Sequence, residues 1–353
     1  MRGAGALIML QGHALDGWVR PQDRSSEWFW LSQFLGGFPA PIFLFLVGVS
    51  LAIVLDRMRA KGISQREIVA KVLRRGGWIL LLAYAFRVEQ FLVWYPYSRW
   101  RDIFKVDTLN CIAISTLAIG LLSVLFRSRR TNIAVMASVT CAFVFFTPWI
   151  YPLKGLPPFV LSYLNGNSYA DYFSFFPWAA FTLAGITFGY LLLEAKNGAG
   201  EPEFFKRVAV AGVCCYAAGA GMSLSRVFEY GFFDYSRTSP HYFLVRLGWL
   251  LLILYGAYLW SRRKSAGRWS PLITLGQASL IVYWVHIEIV YGRIFQFFGQ
   301  SFKISTAAMQ LLWLVPLMLF LASYKQIRER TAEMRPGTGT PPMSRRLGYR
   351  VAR

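Results

Sequence analysis

The sequence predicts an all-α polytopic membrane protein with about ten transmembrane helices, and three observations predict it. Of the 353 residues, 56% are hydrophobic and only 16% charged, against roughly 45–50% and 25% in soluble domains. The apolar residues fall in long runs, and ten of these approach the ~20 residues that a helix needs to cross about 30 Å of hydrocarbon. The third observation is where the charge sits. The chain carries 38 Lys and Arg against 17 Asp and Glu, a formal charge of +21, and nearly all the cations lie between the apolar runs or in the C-terminal segment. They form no stripe interleaved with aromatics and bring no motif of a nucleic-acid binder. The expected partner is the lipid bilayer, and no nucleic acid.

The expected spans run 3–18, 38–56, 76–95, 108–126, 132–150, 173–193, 208–225, 242–261, 271–291 and 304–324. The first, around "LIMLQGHALDGW", merges into aromatic and charged sequence without the small-residue cleavage site of a signal peptide. It therefore counts as helix 1. Pro148, Pro177 and Pro316 lie in or beside spans, where neighbouring helices can satisfy the freed backbone groups. The stretch "PPFVLSYLNGNSYADY" at 157–172 is broken by Pro, Asn and Gly and fits an interfacial or re-entrant segment. Residues 1–325 make one transmembrane domain. Residues 326–353, polar, basic and rich in Gly and Pro, are expected to form a disordered cytoplasmic tail.

Orientation follows from the alternate connections. The N-terminus, the 56–77 stretch, "RSRR", the 194–207 loop, "RRKSAGR" and the tail hold 26 of the 38 Lys and Arg; the opposite set holds 10, and Arg87 and Arg246 lie within spans. By the positive-inside rule both termini are cytoplasmic and the odd-numbered helices run outward.

On that topology the costly residues converge in one leaflet. The chain has three histidines. His13 and His286 each lie about five residues from the outer ends of helices 1 and 9, roughly 8 Å below the surface, and His241 sits at the outer mouth of helix 8. Helix 3 carries Arg87 and Glu89 in "YAFRVEQF". Helix 4 begins "VDTLNCIAIS", with Asp107 and Asn110 one turn apart, and helix 8 adds Arg246. Ionisable residues within spans usually face a bundle interior or a wet cavity. A structural role is open to some of them: Arg87 and Glu89 could pair with Asp107 and Arg246, and Glu288 and His241 lie near the surface. As a whole the cluster costs several kcal/mol of desolvation per ion, a poor way to gain stability.

A histidine oriented by a carboxylate, with an arginine for developing charge, suffices for proton abstraction. No GxSxG-type elbow is present. The four cysteines show no metal-site spacing and are expected to be small buried hydrophobes; no metal is expected. Aromatic stretches such as "EWFW", "WYPYSRW", "SYADYFSFFPW" and "EYGFFDYSR" fit interfacial belts and are compatible with stacking on sugar rings. The alternative function is a transporter or flippase that uses the buried charges as a pathway. Against it, no internal repeat is visible, and Pro39 and Pro41 of "FPAPIFLF" have no counterpart in the second half.

Five stretches in order carry a resemblance: "RGAGALIMLQGH" at 2–13, "FPAPIFLFLVGVSLAIVLDR" at 38–57, "LRRGGWILLL" at 73–82, "KVDTLNCIAIS" at 105–115 and "LGQASLIVYWVHIEIVY" at 275–291. Together they resemble the catalytic domain of the heparan-α-glucosaminide N-acetyltransferase family, in its bacterial membrane branch. The acyltransferase-3 family is similar in style. The resemblance implies transfer of an acyl group, acetyl above all, from cytoplasmic acetyl-CoA or another acyl-CoA. The acceptor would be a glycan or lipid-linked molecule on the far side of a bacterial cytoplasmic (inner) membrane. His13 falls at the family's polar position near the outer end of the helix after "RG". Asp107 and Asn110 match its polar pair, and His286 its late histidine. The implied roles make His13 the general base or a transient acetyl carrier, oriented by Asp107, with His286 as competitor. Arg87 would hold the thioester carbonyl or the acceptor, and Asn110, Glu89 and Arg246 would bind substrate. The basic loop after helix 2, with Arg57, Arg59, Lys61, Arg74 and Arg75, would take the CoA phosphates. A homo-oligomer is compatible with all of this. One departure is that the family's acid before "RG" has no counterpart, since Arg2 follows Met1 directly.

Overall fold

The computed structural model describes residues 1–166, 173–196, 200–225, 239–262 and 269–334. Among these, fourteen α-helices follow one another: α1 (Arg2–Trp18), α2 (Glu27–Gly36), α3 (Pro39–Ala60), α4 (Gln65–Val93), α5 (Thr108–Leu125), α6 (Arg129–Ile150), α7 (Pro158–Leu164), α8 (Phe175–Lys196), α9 (Glu201–Ser225), α10 (Pro240–Ser261), α11 (Pro271–Gln277), α12 (Ser279–Tyr291), α13 (Ile304–Met309) and α14 (Leu311–Met334). The described residues contain no strand, only one isolated parallel bridge between Val19 and Phe302. Among the described residues, eight helices are long and apolar enough to cross a membrane, or nine when the bent pair α11 and α12 counts as one span. The 17 residues of α1 rise about 26 Å, the lower limit for a crossing. With α1 included, about ten crossings stand as expected.

Local chemistry moves several boundaries. The basic stretch at 57–75 is mostly helix, with a loop only at 61–64: α3 runs to Ala60 and α4 starts at Gln65. Ser64 caps α4, its hydroxyl accepting from the Glu67 backbone N–H at 3.3 Å, and Lys71 pairs with Glu67 one turn on at 2.9 Å. Such a helix end lies in water, so hydropathy does not register it. The expected continuous span 271–291 is broken at Ala278, where the two halves meet at 87°. Apolar residues run straight through that break, so composition carries no trace of it. Cys111 alone of the four cysteines is buried; Cys141 and Cys214 are exposed and Cys215 lies between. A helix facing lipid needs no less apolar character than one facing protein.

Several expected features lie wholly or partly outside the described residues. They are the end of the 157–172 segment (its start forms α7), positions 197–199 of the 194–207 loop, and "EYGFFDYSR". So do most of "RRKSAGR" and the tail from 335 onward; α14 itself continues to Met334.

The chain divides into two compact units, Met1–Pro39 with Ser265–Arg353, and Ala40–Lys264. In the first, α1 lies against α2 on one side and α11 and α12 on another. The backbones touch: a methyl at Gly3 would overlap the Leu272 carbonyl oxygen, and one at Gly12 would come within 2.7 Å of the Gly36 Cα. Partners climb together along both elements, from Arg2 with Ser279 through His13 with His286 to Gly17 with Val290. α1 and α12 therefore run parallel.

In the second unit, α3 and α8 pack through glycines, since a methyl at Gly48 would overlap the Thr182 carbonyl and one at Gly185 the Phe45 carbonyl. Small residues at such a crossing let helices approach closely within a membrane. The C-terminal end of α5 is closed by side chains from three other helices. Arg59 donates to the Ser123 carbonyl at 2.7 Å and to the Tyr190 hydroxyl at 3.1 Å. Gln65 reaches the Val124 carbonyl and Asn132 that of Phe126. These contacts satisfy carbonyls that the last turn of any helix leaves open.

Candidate active site

His13 sits three turns into α1, and His286 two turns into α12. The parallel packing of the two helices brings them to the same height. Nδ1 of His13 lies 2.8 Å from Nε2 of His286, with the rings nearly coplanar in orientation and their centroids 5.1 Å apart. His286 is fully buried, and its Nδ1 is 2.7 Å from the Val282 carbonyl one turn back. A carbonyl only accepts, so that Nδ1 carries the hydrogen. In a neutral ring the other nitrogen, Nε2, is then an acceptor. It takes its hydrogen bond from Nδ1–H of His13, which leaves Nε2 of His13 with the lone pair. The chain from the Val282 carbonyl through two rings thus fixes the base at one atom.

In this unit Tyr291 packs on the pair, and Asp16 and Arg24 stand behind it. The ring of Tyr291 meets His13 edge-on, centroids 5.7 Å apart. Its hydroxyl donates to Asp16 at 2.8 Å. Asp16 lies three residues beyond His13 on α1, beside Arg24 at 3.8 Å. Arg24 also closes the end of α1, donating to the carbonyls of Asp16 and Val19. Asp16, Arg24 and Tyr291 were not among the residues singled out from sequence.

The second unit holds the other polar group. Asp107 caps α5: its Oδ1 accepts from the Asn110 backbone N–H at 3.0 Å, and Asn110 Oδ1 accepts from the Asp107 N–H at 3.3 Å. Arg87 Nε lies 3.4 Å from Asp107 Oδ2. Asn110, fully buried, donates to the Tyr163 hydroxyl at 2.8 Å, which donates in turn to that of Tyr84 at 2.9 Å. Tyr163 stands on α7 and Tyr84 one turn before Arg87 on α4; neither carries a charge that would mark it in a sequence. One carboxylate oxygen of Glu89 is buried with no hydrogen-bond partner among the described residues. Arg246 on α10 is buried and lies over the Tyr242 ring at 5.2 Å.

The structure thus groups His13 with His286, and Arg87 with Asp107 and Asn110. Within its own unit, the His13 ring is oriented by the hydrogen bond it donates to His286. Of the five cations expected to hold phosphates, Arg57, Lys61 and Arg74 are exposed. Arg59 is tied to Tyr190 and Ser123, and Arg75 reaches the Ser50 hydroxyl at 3.5 Å. Trp28 and Trp30 of "EWFW" and Tyr95, Tyr97 and Trp100 of "WYPYSRW" are exposed.

The family described as heparan-alpha-glucosaminide N-acetyltransferase, catalytic, matches residues 1–220. The chain belongs to this family. The match takes in His13, Arg87, Glu89, Asp107, Asn110 and the basic residues at 57–75, and it ends before Arg246 and His286. No curated protein matches the chain. Membership in the heparan-α-glucosaminide N-acetyltransferase family makes this multi-pass membrane protein an acyltransferase by kind.

Proposed function

We propose that this member of the family carries an acyl group, acetyl above all, from cytoplasmic acyl-CoA to a glycan or lipid-linked acceptor. The acceptor lies on the extracytoplasmic side of a bacterial inner membrane. The observation that carries the reading is the hydrogen-bonded chain from Val282 to His13, which leaves Nε2 of His13 as a bare, oriented base. As the acceptor's nitrogen or oxygen bonds to the acyl carbon, His13 Nε2 takes its proton, and the carbon–sulfur bond breaks to release CoA. For Arg87, Asp107, Asn110, Glu89 and Arg246 of the second unit the proposed role is substrate binding, as the family resemblance implies. Arg57, Lys61 and Arg74, exposed where α3 ends and α4 begins, fit the CoA phosphates; Arg59 and Arg75 serve their neighbours. The sidedness rests on Lys and Arg, which favour one set of connections by 26 to 10; the parallel run of α1 and α12 fits the eight crossings between the starts of helices 1 and 9.

The test uses purified protein in detergent. Acetyl-CoA at 100 times its dissociation constant should stabilise it by about 2.7 kcal/mol, read as a rise in melting temperature. The triple charge reversal R57E, K61E, R74E should abolish that rise. His13→Ala should keep the rise and lose acyl transfer. Stabilisation by no acyl-CoA would overturn the reading and favour transport through the buried charges.

A further inference from the structure

We propose that His286 is a positioning residue that also holds the proton: the two imidazoles act as one base, relaying a single proton between them during each turnover. The proposal rests on the reading of His13 as the base. It deepens that reading by giving a fully buried ring, which touches no substrate, a defined part in the proton's path.

Three observations carry it. The nitrogens that face each other, His13 Nδ1 and His286 Nε2, are 2.8 Å apart, within reach of direct proton transfer. The far nitrogen of His286 is anchored on the Val282 carbonyl at 2.7 Å, so this ring keeps a proton at Nδ1 in every state and can gain one only at Nε2. The rings lie within 9° of parallel, so a proton can cross without either ring turning over.

The steps balance. When His13 Nε2 takes the acceptor's proton, the proton already on His13 Nδ1 crosses to His286 Nε2. The positive charge then rests on His286, whose Nδ1–H still donates to a carbonyl, and His13 is neutral with its hydrogen on Nε2. In this tautomer His13 faces the departing thiolate as a donor. It gives up the Nε2 proton to the sulfur, His286 returns its extra proton to His13 Nδ1, and the resting arrangement is restored. No proton is gained or lost by the pair over the cycle. Charge in a low-dielectric interior is costly, and on His286 the Val282 carbonyl at 2.7 Å offsets part of that cost.

A merely structural role for His286 makes a different prediction. The side-chain oxygen of glutamine can stand where Nε2 stands and accept from His13 Nδ1–H, but it takes up no proton. His286→Gln should therefore keep the fold, the acyl-CoA melting shift and KM within about twofold, and lower kcat by about 10- to 100-fold, a share of what general acid–base catalysis contributes. His286→Leu should lose at least as much. Wild-type kcat in His286→Gln would overturn the relay and leave His286 as a hydrogen-bond anchor. Should the glutamine variant fail to fold, the wild-type protein supplies the test. With only three histidines, 15N-histidine labelling resolves their ring nitrogens by NMR. Resting His13 and His286 should both carry hydrogen at Nδ1; hydrogen on Nε2 of resting His13 would overturn the proposal. Wild-type kcat in His286→Gln leaves the reading of His13 as the base in place; that reading fails if His13→Ala retains turnover or if resting His13 carries its hydrogen on Nε2.

Discussion

The Tyr291 hydroxyl ties the end of α12 to the end of α1 through Asp16, and its ring closes one side of His13. Tyr291→Phe keeps the ring and removes the tie. Hydrogen bonds to charged groups contribute about 1.5–3 kcal/mol, but the Asp16 side chain is 46% exposed, and solvent cuts this to about 1 kcal/mol. The expected result is a small drop in melting temperature with kcat lowered a few-fold. Tyr291→Ala, which also uncovers the His13 ring, should do far more damage to kcat than to acyl-CoA binding. Equal kinetics for the two variants would remove Tyr291 from the site. Neither Asp16 nor Tyr291 could be picked out beforehand. A carboxylate near the end of a span can rest in water without cost, and a tyrosine there looks like any interfacial aromatic. His13 and His286 stood out because an imidazole well inside an apolar run needs a partner. Which partner each one had was a matter of helix packing, absent from the spacing along the chain.

At the scale of helices, the contact between α1 and α11 sets the height of His13 against His286. Gly3 makes it possible, since its α-carbon faces the Leu272 backbone with no room for a methyl. Backbone cannot swing aside as a side chain can, so Gly3→Ala should slide or tilt α1. Overpacking of this kind costs about 1–3 kcal/mol, and a shift of roughly 1 Å at reacting groups can cost about 100-fold in rate. Turnover should fall far more than acyl-CoA binding. Gly77→Ala on α4 is the control, because a methyl there meets nothing within 4 Å. Equal activity in both variants would mean that helix placement tolerates more slack than the dyad geometry implies. Apolar runs foretold these helices well, because crossing a bilayer demands them. They missed the aqueous start of α4, which is polar, and the 87° break at Ala278, which leaves both flanks apolar.

For the molecule as a whole, the membrane orientation is open to a direct test. In a background freed of the native cysteines, Ser25→Cys should react with an impermeant thiol reagent applied from outside, and Arg127→Cys only after the cytoplasmic face is opened. The reverse pattern would invert the topology and with it the proposed sidedness of the reaction. The parallel run of α1 and α12 has a consequence for how the protein is made. Its two histidines are 273 positions apart, so α1 is threaded into the bilayer long before its mate leaves the ribosome. Throughout that wait the imidazole of His13 must borrow other company, and closing so long a loop is slow. Until the chain has been translated and inserted past His286 there is no dyad, so the proposed reaction has no relay before most of the polypeptide is in place.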